Sequence, residues 1–168
     1  SLIRRSASTA VTSSPPQRVR ALEALIANSA TPPASLAGYL ETRGGAAFRT
    51  GNFTVAAADW ARIVELQPCN AQALMNLAQV RQRLNDSAGA ADLIHRAIAA
   101  HQSGAAPIPE AWYRQWLSIA FNGRLQGEIF PAAHGLVTAY PSPDNWRTAL
   151  SLYRDVSAPA EGAEIALL

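Results

Sequence analysis

Histidine and cysteine, the side chains that most often bind metals or act as nucleophiles, are scarce in this sequence. The histidines are His95, His101 and His134, and the single cysteine is Cys69. A helical zinc site places two histidines about four residues apart, and no two of these histidines have that spacing. A cysteine nucleophile needs a partnered base, and the sequence places none beside Cys69. We therefore predict no metal site and no cofactor, and we interpret Cys69 as a small residue in a turn.

Carboxylates could supply a general acid and base, but their spacing singles out no pair. Asp59, Glu65, Asp86 and Asp92 are expected on exposed helix faces and in turns. The double glycine at 44–45 lies within a predicted helix, where helix packing explains it better than a phosphate loop does. Every basic residue is arginine, which excludes a Schiff-base lysine and a P-loop lysine. We therefore expect that the chain is not an enzyme.

Composition favours one helical domain. The 168 residues are 49% hydrophobic and 15% charged, and alanine, a strong helix former, is abundant. Runs of β-branched residues of strand length are missing, which argues against a sheet. The net charge of +2 is too small to indicate nucleic-acid binding. No apolar run approaches the roughly 20 residues that a membrane-spanning helix needs.

Arginine-only usage is typical of a GC-rich bacterial genome, so we expect a bacterial protein. A single cysteine allows no internal disulfide, and it leaves the bacterial cytoplasm and the periplasm equally open as compartments. The chain begins at Ser1 rather than at a methionine. A removed signal segment and a larger parent protein would both give such a start, and both stay open.

Helical periodicity and turn residues divide the chain into eight predicted helices. These helices cover approximately residues 16–28, 36–50, 54–66, 71–84, 88–101, 110–122, 129–140 and 144–155. Residues 1–15 are rich in serine and threonine and are interpreted as a flexible arm, and residues 156–168 are interpreted as a tail. The repeat domain is therefore expected to span residues 16–155.

When the sequence is aligned with itself after a shift of 34 residues, turn positions fall on turn positions and core positions fall on core positions. Arg49 falls on Arg83, the Gly51-Asn52 turn falls on Asn85-Asp86, and Trp60 falls on Ile94. Repeats of this length, each a helix, a turn and a helix, resemble the tetratricopeptide repeat (TPR). In that resemblance Gly44 and Ala56 take small positions, Gly51 takes the turn glycine and Pro68 takes the terminal proline. Arg81 departs from the pattern, because an aromatic residue is usual there.

The resemblance implies an all-α fold in which antiparallel helix pairs stack into a short right-handed superhelix. The units are expected at about 37–70, 71–104 and 110–141, followed by a capping helix at 144–155. Ala56 and Ala90 are predicted to be buried where helices cross. Trp146, Leu150 and Tyr153 are predicted to form the apolar face of the capping helix. Trp112 and Trp116 are interpreted mainly as core residues, with a groove lining as the alternative.

Such a fold also implies a function in protein binding, carried by the concave face that the first helix of each unit lines. The residues implied are Glu41, Gly45, Phe48 and Arg49 in the first unit, Gln72, Met75, Gln79, Gln82 and Arg83 in the second, and Tyr113, Leu117 and Phe121 in the third. We expect a scaffold for a peptide or protein partner, acting as a monomer or weak homodimer. The alternative is a structural or oligomerisation module that positions a neighbouring domain.

Overall fold

The fold is a sequence of short helices without strands throughout the described part of the chain. A computed structural model describes residues 15–28, 30–102 and 106–156. The helices are α1 (Pro15–Ala27), α2 (Pro33–Arg49), α3 (Phe53–Leu66), α4 (Ala71–Arg83), α5 (Ser87–Gln102), α6 (Glu110–Asn122), α7 (Gln126–Ala139) and α8 (Pro143–Val156). The all-helical prediction is confirmed. Most of the predicted arm at 1–15 and of the tail at 156–168 lies outside the described residues.

The helices stack in chain order. The closest packing joins α2 to α3, α4 to α5 and α6 to α7, and these pairs then pack on one another through α3 with α4 and α5 with α6. We call α2, α4 and α6 the first helices and α3, α5 and α7 the second helices. Helix α8 packs on α7, and α4 also touches α6 directly. No helix in the described ranges has the length and apolarity needed to cross a bilayer.

A left-handed residue in each turn fixes how the three pairs correspond. Gly51, Asn85 and Arg124 connect the two helices of their pairs with φ angles of 79°, 63° and 54°. L-residues with a Cβ adopt this conformation at a cost, so a recurrence at the same point of three turns marks equivalent positions. The first two are 34 residues apart and the next two 39. Relative to the 34-residue repeat, the third unit is therefore preceded by an insertion of five residues.

Small residues allow the helices of a pair to approach each other. Ala56 and Ala90 are fully buried, which confirms their predicted burial. A Cβ placed on Gly44 would lie 3.2 Å from Asp59 Cβ and 3.3 Å from Trp60 Cε2 on the facing helix. Glycine at this point of α2 is therefore explained by the close packing of α3.

Short polar side chains begin several helices. The side chain of Asn52 accepts a hydrogen bond from the Val55 N–H at 3.3 Å, and the side chain of Asn70 accepts one from the Ala73 N–H at 3.0 Å. Ser142 Oγ does the same for the Asn145 N–H at 3.1 Å. These caps satisfy N–H groups that would otherwise lack a partner in the first turn. Side-chain caps of the same kind therefore start α3, α4 and α8.

Helix α7 begins earlier than the sequence pattern predicts. Residue 129 was the expected start, whereas the helix starts at Gln126 and continues through Pro131. The proline is therefore inside the helix rather than in its first turn. Pro131 and Gly127 are both exposed, so the Gly127 carbonyl that loses its helical N–H partner faces water.

The buried side of α8 differs from the predicted one. Asn145 and Ala149 are 1% and 0% exposed, and Leu152 is half-buried beside them. The predicted Leu150 is 37% exposed, so its assignment to the packing face is wrong. Trp146 is half-buried, and the side chain of Tyr153 lies outside the described set. Helix α8 is held by polar contacts at Asn145, which hydrophobic periodicity does not detect.

A buried ion pair joins α2 to α3. Asp59 is 1% exposed, and its two carboxylate oxygens accept hydrogen bonds of 2.9 and 2.5 Å from Arg43 Nε and Nη2. This bond to Asp59 is the largest cause of the raised pKa of the Arg43 guanidinium. The expectation that Asp59 is exposed is therefore wrong, because a charge can be buried when two hydrogen bonds satisfy it.

Candidate functional site

The outward side chains of the first helices form a continuous surface, which we call the concave face because TPR-like stacking curves it inward. On α2 and α4 these side chains are Glu41, Phe48, Arg49, Gln72, Gln79, Gln82 and Arg83. On α6 the turn register places Arg114, Ser118 and Phe121 at equivalent positions. Most of this surface is half-buried or exposed.

An arginine–aromatic cluster occupies the end of the concave face nearest the turns. Arg83 Cζ lies 5.9 Å from the centroid of the Phe48 ring, a distance at which the cation and the ring attract. Phe53 packs edge-on against Phe48 with centroids 5.5 Å apart, which orients the ring. A Cβ on Gly45 would lie 3.6 Å from Arg49 Nη1, so the Arg49 side chain folds back over the small residue. The structure therefore brings the predicted residues Phe48, Arg49 and Arg83 together.

Arg49 and Arg83 differ from the other arginines on helices α2–α6. Five more arginines lie on α2–α6, at positions 43, 62, 81, 96 and 114, and each has a carboxylate within 4.0 Å. Among the described residues, no carboxylate lies that close to Arg49 or Arg83, and both arginines are exposed. Two in-phase guanidinium groups are thus available to a bound anion.

Amide side chains connect the neighbouring first helices. Gln79 Nε2 donates to Gln115 Oε1, and Gln82 Nε2 donates to Ser118 Oγ, both at 3.3 Å. Gln115 Nε2 in turn donates to the Met75 carbonyl at 3.2 Å. Each amide still has donor or acceptor capacity beyond these bonds. The middle of the concave face can therefore hydrogen-bond to a backbone laid across it.

Glu41 and Gln72 lie at the opposite end of the face. Both line a cleft of about 210 Å³ between α2, α3 and α4, with Trp60 and Asn70 among the other walls. The structure thus places these two predicted residues near each other, away from the arginine–aromatic cluster at the turn end.

Three predicted contact residues do not lie on the concave face. Met75 and Leu117 are only 2% and 1% exposed, so they pack in the core and do not project from the concave face. Tyr113 is half-buried against α7, where a Cβ on Gly135 would collide with its ring. Burial is the main cause of the raised pKa of the Tyr113 phenol. The prediction misplaced the third unit by one residue, because the insertion before it broke the 34-residue register.

A groove between α6 and α8 was not anticipated from the sequence. It has a volume of about 240 Å³ and is lined by Leu117, Phe121 and Leu152, with Ser118, Asn122, Thr148 and Arg114 as its polar residues. The sequence carries no signal for this groove, because the inward side of α8 is set by the contacts of Asn145 with Arg114 and Glu110 on α6. Trp112 and Trp116, the alternative groove residues, are 8% and 7% exposed and belong to the core.

The histidines and the cysteine belong to no metal-binding cluster in the described ranges. His95 Nε2 and Trp116 Nε1 each lie 2.8 Å from Glu128 Oε2, which links α5, α6 and α7. Cys69 is exposed and free. Across the part of the chain that is described, no three His, Cys, Asp or Glu side chains come together in a group that could hold a metal ion.

Comparison with known proteins identifies the fold. No family model matches the sequence, and no curated protein matches it. Among solved structures, the chain is similar to one described as the crystal structure of MamA, a TPR-containing protein. The TM-score is 0.67 with 15% identity, over 89% of this chain and 81% of that chain. At this identity the similarity shows the fold alone. The chain is a TPR-like solenoid of stacked helix pairs.

Proposed function

We propose that this chain is a scaffold that binds a peptide or protein segment through its concave face, and that it catalyses no reaction. The observation that carries the proposal is the pair Arg49 and Arg83. They occupy equivalent exposed positions, and they are the arginines of α2–α6 without a carboxylate partner among the described residues. Arginine and aromatic side chains are enriched in binding hot spots, and Phe48 lies beneath Arg83.

The test is capture of a partner by photo-crosslinking in the source cells. A crosslinker at Gln79, on the concave face, should trap a partner. The same group at Asp92, whose side chain is 71% exposed on the second helix α5, should not. Equal trapping at both positions, or trapping from Asp92 alone, would place the interface elsewhere.

Charge removal provides a second readout on the trapped partner. Arg49→Ala with Arg83→Ala should weaken partner binding at least about tenfold, since a hydrogen bond to a charged group contributes about 1.5–3 kcal/mol. Arg62→Ala with Arg96→Ala is the matched control, because these arginines are also 34 residues apart but lie on the second helices. Undiminished binding by the Arg49/Arg83 variant, with unchanged helicity, would refute the assignment of this face.

A second candidate is an oligomerisation module, which the partial exposure of α8 favours. Leu150 is 37% exposed and Trp146 beside it is half-buried, so α8 presents apolar surface. Solution molecular weight as a function of concentration separates the two functions. If the chain self-associates and Leu150→Glu abolishes the self-association, the oligomerisation function is supported. If the molecular weight is that of a monomer at every concentration, the scaffold function is supported instead.

A further inference from the structure

The groove between α6 and α8 is shaped for an apolar side chain. Leu117 is buried at its base, and Phe121 and Leu152 are half-buried beside it. Its volume of about 240 Å³ is smaller than the roughly 300–1,000 Å³ of small-molecule pockets. Exposed Ser118 and Asn122 border the opening and can bond to a polar backbone. The groove therefore suits one large side chain of a peptide.

A polar network holds the two walls of this groove in place. Arg114 on α6 donates through Nε to Glu110 Oε1 at 2.9 Å and through Nη2 to the Asn145 side chain on α8. Asn145 Nδ2 completes the network by donating to Glu110 Oε1 at 3.1 Å and to the Tyr140 carbonyl at 2.9 Å. Since both helices are fixed by these bonds, the groove exists before a ligand arrives, which lowers the cost of binding.

The groove and the arginine–aromatic cluster both include residues at the C-terminal ends of first helices. Arg49 and Arg83 end α2 and α4, and Phe121, one residue before the end of α6, occupies the position equivalent to Phe48. Packed helices lie about 8–10 Å apart, so the arginine pair and the groove are separated by roughly 16–20 Å. An extended peptide advances about 3.3 Å per residue and covers that distance in about five or six residues. Gln82 and Ser118, bonded to each other, lie between the two sites.

Given a concave face that binds protein segments, as proposed above, we infer the chemistry of the segment. It is an extended stretch that places a carboxylate between Arg49 and Arg83 and a large aliphatic or aromatic side chain in the α6–α8 groove, about five residues apart. Charge complementarity selects the acidic group, because the two guanidinium groups have no carboxylate of their own among the described residues. The apolar walls of the groove select the second side chain.

Synthetic peptides test this chemistry directly by fluorescence anisotropy. The probe is a fluorescein-labelled Gly/Ser dodecapeptide with two adjacent glutamates and a leucine five residues away, prepared in both sequence orders. At least one order should bind. Replacing both glutamates by glutamine should weaken that binding at least about tenfold, and replacing leucine by alanine should weaken it at least about fivefold. Shortening the separation to two residues should remove one of the two contributions, because both sites can no longer be reached.

Protein variants then assign each contribution to its site. Arg49→Gln with Arg83→Gln should abolish the difference between the glutamate and glutamine peptides but keep the difference between leucine and alanine. Ser118→Trp fills the groove from an exposed position. This variant should abolish the difference between the leucine and alanine peptides and keep the difference between the glutamate and glutamine peptides. Arg62→Gln with Arg96→Gln removes the same charge from the second helices and should change neither difference.

Three results would overturn the inference: equal binding of the glutamate and glutamine peptides, an equal effect of the Arg62/Arg96 control, or no binding of either order below about 1 mM. The crosslinking at Gln79 separates these failures from failure of the proposed function. A partner trapped there, with no preference for acidic peptides, would keep the scaffold and reject this ligand chemistry. If no partner is trapped at Gln79 and acidic peptides are not preferred, the concave face is rejected as a binding surface.

Discussion

At the scale of single residues, Gly44 permits the close packing of α2 on α3. A Cβ there would lie 3.2–3.3 Å from Asp59 and Trp60, whereas a Cβ on Gly38 in the same helix meets nothing within 4 Å. Gly44→Leu should therefore lower the free energy of unfolding by about 1–3 kcal/mol through overpacking. The matched Gly38→Leu should be neutral or stabilising by up to about 1 kcal/mol, since glycine weakens a helix interior. Thermal melts that show equal midpoints for the two variants would contradict this packing.

The Arg43–Asp59 pair gives a second residue-scale prediction. Asp59→Ala leaves the largely buried Arg43 guanidinium without its partner, and breaking a buried pair costs about 3–5 kcal/mol. Because the Arg43 side chain is 25% exposed, we expect the free energy of unfolding, measured in urea, to fall by about 2–3 kcal/mol. The control is Glu65→Ala, which breaks an exposed pair with Arg62 and should cost less than about 1 kcal/mol. Similar losses in both variants would refute a special role for Asp59.

Residue types predicted some of these features and not others. Gly44, Ala56 and Ala90 were predictable because a helix crossing admits only small side chains, and the residue type states that requirement directly. Asp59 was not, since a carboxylate looks exposed until Arg43 from another helix is known to lie beside it. The wrong assignment of Met75 has a similar cause, because its burial depends on the packing of α6 on α4.

At the scale of elements, the anchoring of α8 should depend on pH. The hydrogen bond from Arg114, followed by that from Asn145, lowers the pKa of Glu110 below its ordinary value of 4.5. A lowered pKa in the folded state means that the charged carboxylate stabilises the fold above pH 4.5. That contribution is lost as the pH falls through the lowered value.

Comparison with Glu110→Gln measures this effect. In urea unfolding between pH 7 and pH 3, the original chain should be more stable than the variant near neutrality. The difference should shrink as the pH falls from 4.5 through the lowered pKa, at which Glu110 becomes protonated in the folded state. A stability difference that stays constant across this range would show that the charge of Glu110 does not anchor α8.

The elements themselves were largely predictable. Asn52, Asn70 and the turn residues mark helix ends locally, so α4 and α6 were predicted within a residue of their observed bounds. The start of α7 was missed because the predicted start at residue 129 places Pro131 in the first turn, where proline is usual, whereas its exposure makes an interior position tolerable. The α6–α8 groove could not be predicted, because it depends on which side of α8 faces inward, and Asn145 decides that through contacts with α6.

At the scale of the whole molecule, α8 closes one end of the stack. Deleting residues 143–168 uncovers the side of α7 on which α8 packs, and the remainder should melt at lower temperature and aggregate as apolar surface becomes exposed. Thermal melts and size-exclusion chromatography with light scattering follow both effects. A truncated chain that stays soluble, unfolds cooperatively and loses only self-association would instead make α8 an interface.

The packing of helices almost entirely on their neighbours in the chain has a mechanical consequence. No distant strand or helix ties the two ends of the described stack together, so tension applied at its ends passes through every helix pair in series. The weakest pair should yield first and its neighbours afterwards, instead of the whole fold rupturing at once. A unit of 34 residues pulled straight spans about 110–120 Å of chain, so each step would lengthen the molecule by a large fraction of that distance. Such a chain could extend gradually under load between two attachment points and rewind when the load is released.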